Sequence, residues 1–500
     1  MMKRLLFAIT MMIAATVTFG ANKVERPKLV VGLVVDQMRW DYLYYYYEDF
    51  GEGGLKRLVD EGFSCENTMI NYIPTITAIG HTSVFTGSVP ALHGIAGNNF
   101  MEKGKDVYCC ADSTVQGVGT DTKAGRMSPR NNKATTIGDE LRLATDFKSR
   151  VFGVALKDRA AIFPAGHSAN AAYWYDNAVG HFVTSTYYMD KLPKWMEQYN
   201  KENTTKKGED QKGKPEGVTI TFKMAEAVLR NERLGMGDYP DMLTISISST
   251  DVIGHAYGTR DEHTKAAYMQ LDKELAKFLR LLDNRYGKNG YLLFLTADHG
   301  GAHNPNYLKQ HHIYANGWPA SQWVKDINAE LSKRYGVNKL VTAHYGDFFY
   351  LNHAKIDSAG LNIDEVKQAV INQLLQEDEL LYAVDCAKAS TATVPQIIRE
   401  RIINGYNTKR SSDIVVIPRS QMFSWQFKDD YKGTTHGQWN PYDAHIPLVF
   451  LGWHVAHGST CQPTYIVDIA ATVCAMLHIE KPNSCIGNAI VPVVNQGQNQ

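Results

Sequence analysis

Four short apolar runs, each breaking off at ionisable residues, constrain this chain more than any other feature. Lys28 to Val35 (KLVVGLVV) stops at Asp36, and Arg150 to Leu156 (RVFGVAL) runs into Lys157-Asp158-Arg159. Met242 to Ser248 (MLTISIS) leads to Asp251 and His255, while Tyr291 to Leu295 (YLLFL) continues into Asp298-His299-Gly300-Gly301. Apolar runs without polar alternation are strands covered on both faces, so the spacing predicts an α/β fold around a mostly parallel sheet. In open sheets of that kind ligands bind outside the carboxyl ends of the strands, where all four runs place their charges. A chain of 500 residues, 44% of them apolar, has ample material for such a core.

Helices are predicted over Gly53 to Glu61, Ala78 to Phe85, Thr136 to Ala144, Asp261 to about Tyr286 and Tyr465 to Leu477. The stripe Leu271, Leu275, Phe278, Leu279 and Leu282 is core. Asn200 to Gly217 is almost devoid of apolar residues and reads as a surface loop. The sheet is expected to resume at Asp413 to Ile417 (DIVVI) and Ile446 to Leu451 (IPLVFL), and pieces near 162–239 and 304–406 read as insertions partly covering the site.

The candidate chemistry lies at the strand ends. Asp251 and His255, four apart, share one face of a helical turn and can grip one metal ion. Adjacent Asp298 and His299 before two glycines give a second such signal. A loop, Gly433-Thr434-Thr435-His436-Gly437, offers another histidine, with His445 competing for the role; His311 and His312 read as polar surface. Three carboxylates and three imidazoles suffice for two ions of borderline hardness, and Zn²⁺ suits that mixture. Lys157 and Arg159, two apart on an extended chain, would point to one side and fit a phosphoryl group. In Asn71 to Phe100 (NYIPTITAIGHTSVFTGSVPALHGIAGNNF), Thr75 or Thr77 opens a helix whose unpaired N–H groups suit an anion, and Asn98 or Asn99 offers an amide.

Equal numbers of acidic and basic residues argue against a nucleic-acid partner. Residues 1–20, with Lys3-Arg4, an apolar stretch from Leu5 to Val17 and Thr18-Phe19-Gly20, have the order of a cleaved signal peptide, so a periplasmic or secreted protein without stable membrane insertion is expected. Seven scattered cysteines make no disulfide scaffold, though Cys461 and Cys485, flanking the last helix, are candidates for pairing.

The order of these motifs resembles the alkaline phosphatase superfamily: strand-end Asp36, PTITAIGHT around Thr77, STDVIGH, TADHGG, a late THG and the closing IVDIAATVCAML helix. Within it the chain is similar to the PafA-like monoesterases of Bacteroidetes, whose K-x-R appears as Lys157-Asp158-Arg159, with Asn98 in the GNN turn. The resemblance covers nearly all of residues 21–500 as one catalytic domain and implies a three-layer α/β/α sandwich with cap segments. It implies Thr77, not Thr75, as nucleophile; one zinc on Asp251, His255 and His436; and another on Asp36, Asp298 and His299 with the Thr77 oxygen. Asn98, Lys157 and Arg159 would hold the phosphoryl oxygens of small phosphate monoesters. Sulfate esters are disfavoured, because the CxPxR segment of the sulfatase branch is replaced by IPTIT. The rival expectations are a nucleotide phosphodiesterase of the same superfamily and a non-catalytic, metal-stabilised binding protein. The sequence leaves the oligomeric state open, a monomer being compatible with it.

Overall fold

The computed structural model describes residues 24–424 and 430–494; the expected signal segment lies outside them. All four apolar runs become strands, and they stand consecutively in one ten-stranded sheet. Its centre comprises β1 (Leu29–Val35), β2 (Val151–Ala155), β3 (Ala171–Asp176), β4 (Asp241–Ile247) and β5 (Tyr291–Thr296). These five are mutually parallel in the order β5-β1-β4-β2-β3 and buried along their whole length. β6 (Leu448–Gly452) returns antiparallel to β5, pairing Leu448 with Thr296.

Helices complete the sandwich. α1 (Thr77–Thr86) and α2 (Asp158–Ala165) pack together, and the closing helix Asp468–Leu477 packs on α1. Gly32 in the middle of β1 makes this approach possible: a Cβ there would stand 2.8 Å from ring atoms of both Phe85 and Phe294. Further along, α3 (Ser249–Tyr257) leads into α4 (Glu262–Tyr286), which packs against Glu216–Asn231 and buries the predicted stripe of Leu271, Leu275, Phe278, Leu279 and Leu282.

A second, four-stranded sheet stands apart: Val341–Tyr345, Phe348–Leu351, Ile414–Pro418 and Leu380–Asp385, in that order. Alternation along Ile414–Pro418 explains its two faces. Ile414 and Val416 join the core under helices Ala320–Tyr335 and Ile363–Leu374, whereas Val415 and Ile417 join a smaller cluster with Ile398, Ile402 and Ile73, just upstream of Thr77. The expectation that DIVVI rejoins the central sheet is therefore corrected. An apolar run buried on both faces carries no mark of which sheet it enters.

Of the stretches expected to be insertions, 162–239 supplies β3 and the strand His181–Ser185 to the central sheet, while most of 304–406 belongs to the second sheet and its helices. The Asn200–Gly217 loop is shorter than expected, since helix Lys194–Asn203 precedes it and Glu216 starts the next helix. All seven cysteines are free, which corrects the Cys461–Cys485 pairing. Cys485 packs at the end of α1, where its sulfur lies 2.4 Å from the place of a Cβ on Gly87, and Cys461 is exposed.

Candidate active site

Register brings the site together. Val34 of β1 stands level with Ser246 of β4 and Thr296 of β5, so the chain leaves all three strands at one edge. Asp36 follows β1 directly, Asp298 and His299 follow β5, α3 carries Asp251 and His255, and Lys157 precedes α2. His436 arrives from the distant loop, its Nδ1 held 2.8 Å from the carbonyl of Thr75.

Two overlapping groups result. Asp251, His255 and His436 direct ligand atoms at one another: His255 Nε2 is 3.1 Å and His436 Nε2 3.5 Å from Asp251 Oδ1, and the imidazole nitrogens are 3.3 Å apart. Beside them His299 Nε2 lies 3.6 Å from Asp36 Oδ1 and 3.3 Å from Asp298 Oδ2. Asp251 also falls within reach of Asp36 and His299, and the His299 and His436 rings stack at 3.5 Å, so the groups form one continuous cluster.

The cluster has the chemistry of a cation site. Asp36 Oδ1, Asp298 Oδ2 and His299 Nε2 are buried and make no hydrogen bond, an arrangement costly in the interior unless a ligand completes it. Burial, then the neighbouring carboxylates of Asp251 and Asp298, pushes the Asp36 pKa well above the carboxylate range. Burial holds His299 down to about 3, leaving its ring neutral and its lone pair available. The other half differs. Burial would raise Asp251, but Lys157 and His255 outweigh it and hold the carboxyl well below its usual range. Oxygen and imidazole donors in this mixture fit a borderline divalent ion such as zinc.

Lys157 and Arg159 do not share the side of an extended strand, because α2 begins at Asp158 and Arg159 is already helical. Lys157 Nζ donates to Asp36 Oδ2 and Asp251 Oδ2, each at 2.6 Å, joining the two halves of the cluster. Arg159 is oriented by Tyr108, whose hydroxyl accepts from Nη1 at 3.2 Å and itself donates to Asp158.

Thr77 opens α1, with Ile76 extended before it, so its hydroxyl sits at the positive end of the helix. The Thr77 hydroxyl makes no hydrogen bond to a protein group among the described residues, and the residue is 2% exposed. Thr75 is otherwise engaged: its hydroxyl donates to the Gln438 carbonyl at 2.9 Å and accepts from Gly437 N at 3.2 Å. Asn98 Oδ1 accepts from Ala78 N at 3.0 Å, which leaves its NH₂ group to a ligand. Gly80 lets α1 press on the strand end, since a Cβ there would meet the Asp298 carbonyl at 2.2 Å. His445 stacks on Trp40 and bonds Glu66 O, away from His436. His311 and His312 are exposed.

Sequence reasoning passed over two residues. His81, one turn into α1, is fully buried, with Nδ1 2.9 Å from Thr77 O and 3.2 Å from Asp298 Oδ2, and with Nε2 2.7 Å from Ser246 Oγ. Gln37 donates its amide to Asp251 Oδ1 at 2.7 Å and its backbone N–H to Asp298 Oδ1 at 3.1 Å. The signals were there, a histidine inside a helix of small and apolar residues and a polar residue directly after Asp36, but neither pattern announces a partner.

The fold and this cluster define a class. The chain belongs to the type I phosphodiesterase / nucleotide pyrophosphatase family, whose model matches residues 30–443, within the alkaline phosphatase superfamily. Among its relatives, it is 44% identical to a protein of Myroides odoratus named "Calcium-transporting ATPase", over 95% of this chain and 96% of that one. It is 41% identical to "Alkaline phosphatase PafA" of Elizabethkingia meningoseptica, again over 95% and 96%. A crystal structure of wild-type alkaline phosphatase PafA superposes with a TM-score of 0.90 at 40% identity, covering 95% of this chain and all of that one.

Proposed function

We propose that this chain is an alkaline phosphatase, hydrolysing phosphate monoesters at the sheet edge where Thr77, Lys157 and Arg159 meet the carboxylate and histidine cluster. One observation carries the reading: buried, mutually facing oxygen and nitrogen donors with unmade bonds gather at the strand end against which the helix opened by Thr77 is pressed, through Gly80 and His81 at Asp298. The similarity to PafA over nearly the whole chain supports it.

Two zinc ions would be held by Asp36, Asp298 and His299 with the Thr77 oxygen, and by Asp251, His255 and His436. When bound, such a pair supplies Lewis-acid stabilisation of oxygen charge on both sides of an in-line displacement. The chain's own groups do the rest. Thr77 Oγ1 loses its proton as it attacks phosphorus, the ester oxygen departs with the electron pair of its bond to phosphorus and takes up a proton to leave as the alcohol, and a phosphothreonine forms. Water then attacks the same phosphorus and returns the threonine hydroxyl with release of phosphate. Asn98 donates its amide to an equatorial oxygen, Lys157 and Arg159 neutralise the equatorial charge, and the α1 N-terminus adds its partial charge. A monoester dianion carries one more charged oxygen than a diester, so two cations favour the monoester.

The shared family with phosphodiesterases makes diester cleavage the reading to beat. Comparing kcat/KM on an aryl monoester and the matching diester decides it: the monoester should lead by about a hundredfold or more, and faster diester turnover would overturn the proposal. A transport role finds no membrane-crossing helix among the described residues. Export to the periplasm or beyond, the treatment of the second sheet as a cap on a single catalytic domain, and small soluble substrates belong to the same proposal.

A further inference from the structure

A cavity of about 540 Å³ opens beside the cluster. Its inner end is formed by Asn98 and His436, the amide assigned to the phosphoryl group and a member of the His255 half of the cluster. Its outer wall comes from the second sheet, where Tyr345, Phe348 and Tyr350 present aromatic surface. Tyr345 and Tyr350 meet edge to face with centroids 5.5 Å apart, and both are tied back, Tyr345 Oη to Asp106 Oδ1 at 2.9 Å and Tyr350 Oη to the Arg410 carbonyl at 3.2 Å. The rings are thus fixed before any ligand arrives.

Asp347 sits in this wall between them. Only 7% of it is exposed, and its carboxylate accepts one neutral hydrogen bond, from Gln438 Nε2 at 3.2 Å. Among the described residues no cationic side chain stands within ion-pair distance of it; the nearby His344 is kept neutral by burial. A second buried acid, Asp443, receives the backbone N–H of the same Gln438 at 2.9 Å. Burial without a counter-ion pushes Asp347 up to about 7, the behaviour of a carboxylate whose charge is unmatched in the free protein. An aromatic wall with an unmatched carboxylate attracts an organic cation, through ring quadrupoles on one side and charge on the other.

We propose that this cavity is the pocket for the alcohol half of the substrate and that it selects phosphate monoesters whose alcohol carries a cationic nitrogen, with Asp347 as the counter-charge. The inference rests on the monoesterase reading and names the substrate class of that same site. The cationic end lies against Asp347 and the Tyr345 ring, while the phosphoryl end reaches Asn98 and Thr77.

The test compares two esters of equal shape, 2-(trimethylammonio)ethyl phosphate and 3,3-dimethylbutyl phosphate, with methyl phosphate as reference. The cationic ester should lead its neutral isostere in kcat/KM by about tenfold or more, and Asp347→Asn should bring that ratio close to one. Tyr345→Leu, judged by the same ratio, replaces the first variant should it fail to fold. A ratio near one in the unaltered enzyme, or one untouched by both substitutions, overturns the pocket. Thermal shifts with the free alcohols, choline against 3,3-dimethylbutanol, read the pocket without turnover. If no monoester is hydrolysed, methyl phosphate included, the monoesterase reading fails, while a selective shift with choline would still uphold the cation site.

Discussion

Asp36 and Asp347 are both buried carboxylates raised above their usual range, yet they belong to regions built on opposite terms. Asp36 lies at the edge of the central sheet, where Lys157 bridges it to Asp251 and four further ligand candidates crowd round. Asp347 lies in the second sheet with one amide for company. In the first region side chains delivered by separate strands face one another and share one lysine, leaving donor atoms for a cation; in the second a lone carboxylate waits for a partner from outside. Burial alone does not separate such sites, and the inventory of neighbouring charges does.

The strongest attack on this contrast is Thr77→Ala. If the sheet edge holds the chemistry, kcat should fall by at least about 10⁴-fold and covalent labelling by phosphate should vanish, with the circular dichroism spectrum unchanged. Labelling that persists would move the nucleophile elsewhere. Metal removal should come next in size. Dialysis against a chelator should abolish turnover and lower the melting temperature, and restored zinc should recover both; at a free-ion level of about a thousand times Kd the linked stabilisation is about 4 kcal/mol. An unchanged melting temperature would mean that the unbonded donors hold no structural ion.

The smallest effect sharpens the other side. Asp347 binds its proton more tightly folded, at about 7, than an unfolded aspartate near 3.8 does. Between those values the native state holds more protons than the unfolded one, so this residue's contribution falls as pH rises from about 4 to about 7 and then levels. Asp347→Asn should flatten that part of the stability profile, measured by denaturant unfolding, by roughly 1–4 kcal/mol. A profile of unaltered slope would show that Asp347 is solvated or paired in solution.

Much of the first region was legible from letters, and the second was not. Continuous β-branched runs declare buried parallel strands, and residues just past the ends of such strands must gather at one edge, so the sequence alone collects Asp36, Asp251, His255, Asp298 and His299. Lys157 and Arg159 were found, but their arrangement was not, because nothing in LKDRAAIF states that the helix starts at once. Ile414–Pro418 looked like another central strand, since hydrophobicity marks burial and not address. His81, Gln37 and Asp347 depend on partners far away in the chain, Ser246, Asp251 and Gln438, and no local pattern encodes them.

The pairing of Thr296 with Leu448 has a practical consequence. Everything from the end of β5 to the start of β6 departs from and comes back to a single rung of the ladder, like a detour that rejoins the road where it left. Asp298, His299 and His436 lie near its two ends, and between them its length can grow or shrink at slight entropic expense while the two strands stay bonded. The outer wall of the substrate cavity can therefore be rebuilt without loosening the scaffold beneath the phosphorus chemistry, which makes selectivity the more freely variable property of this enzyme.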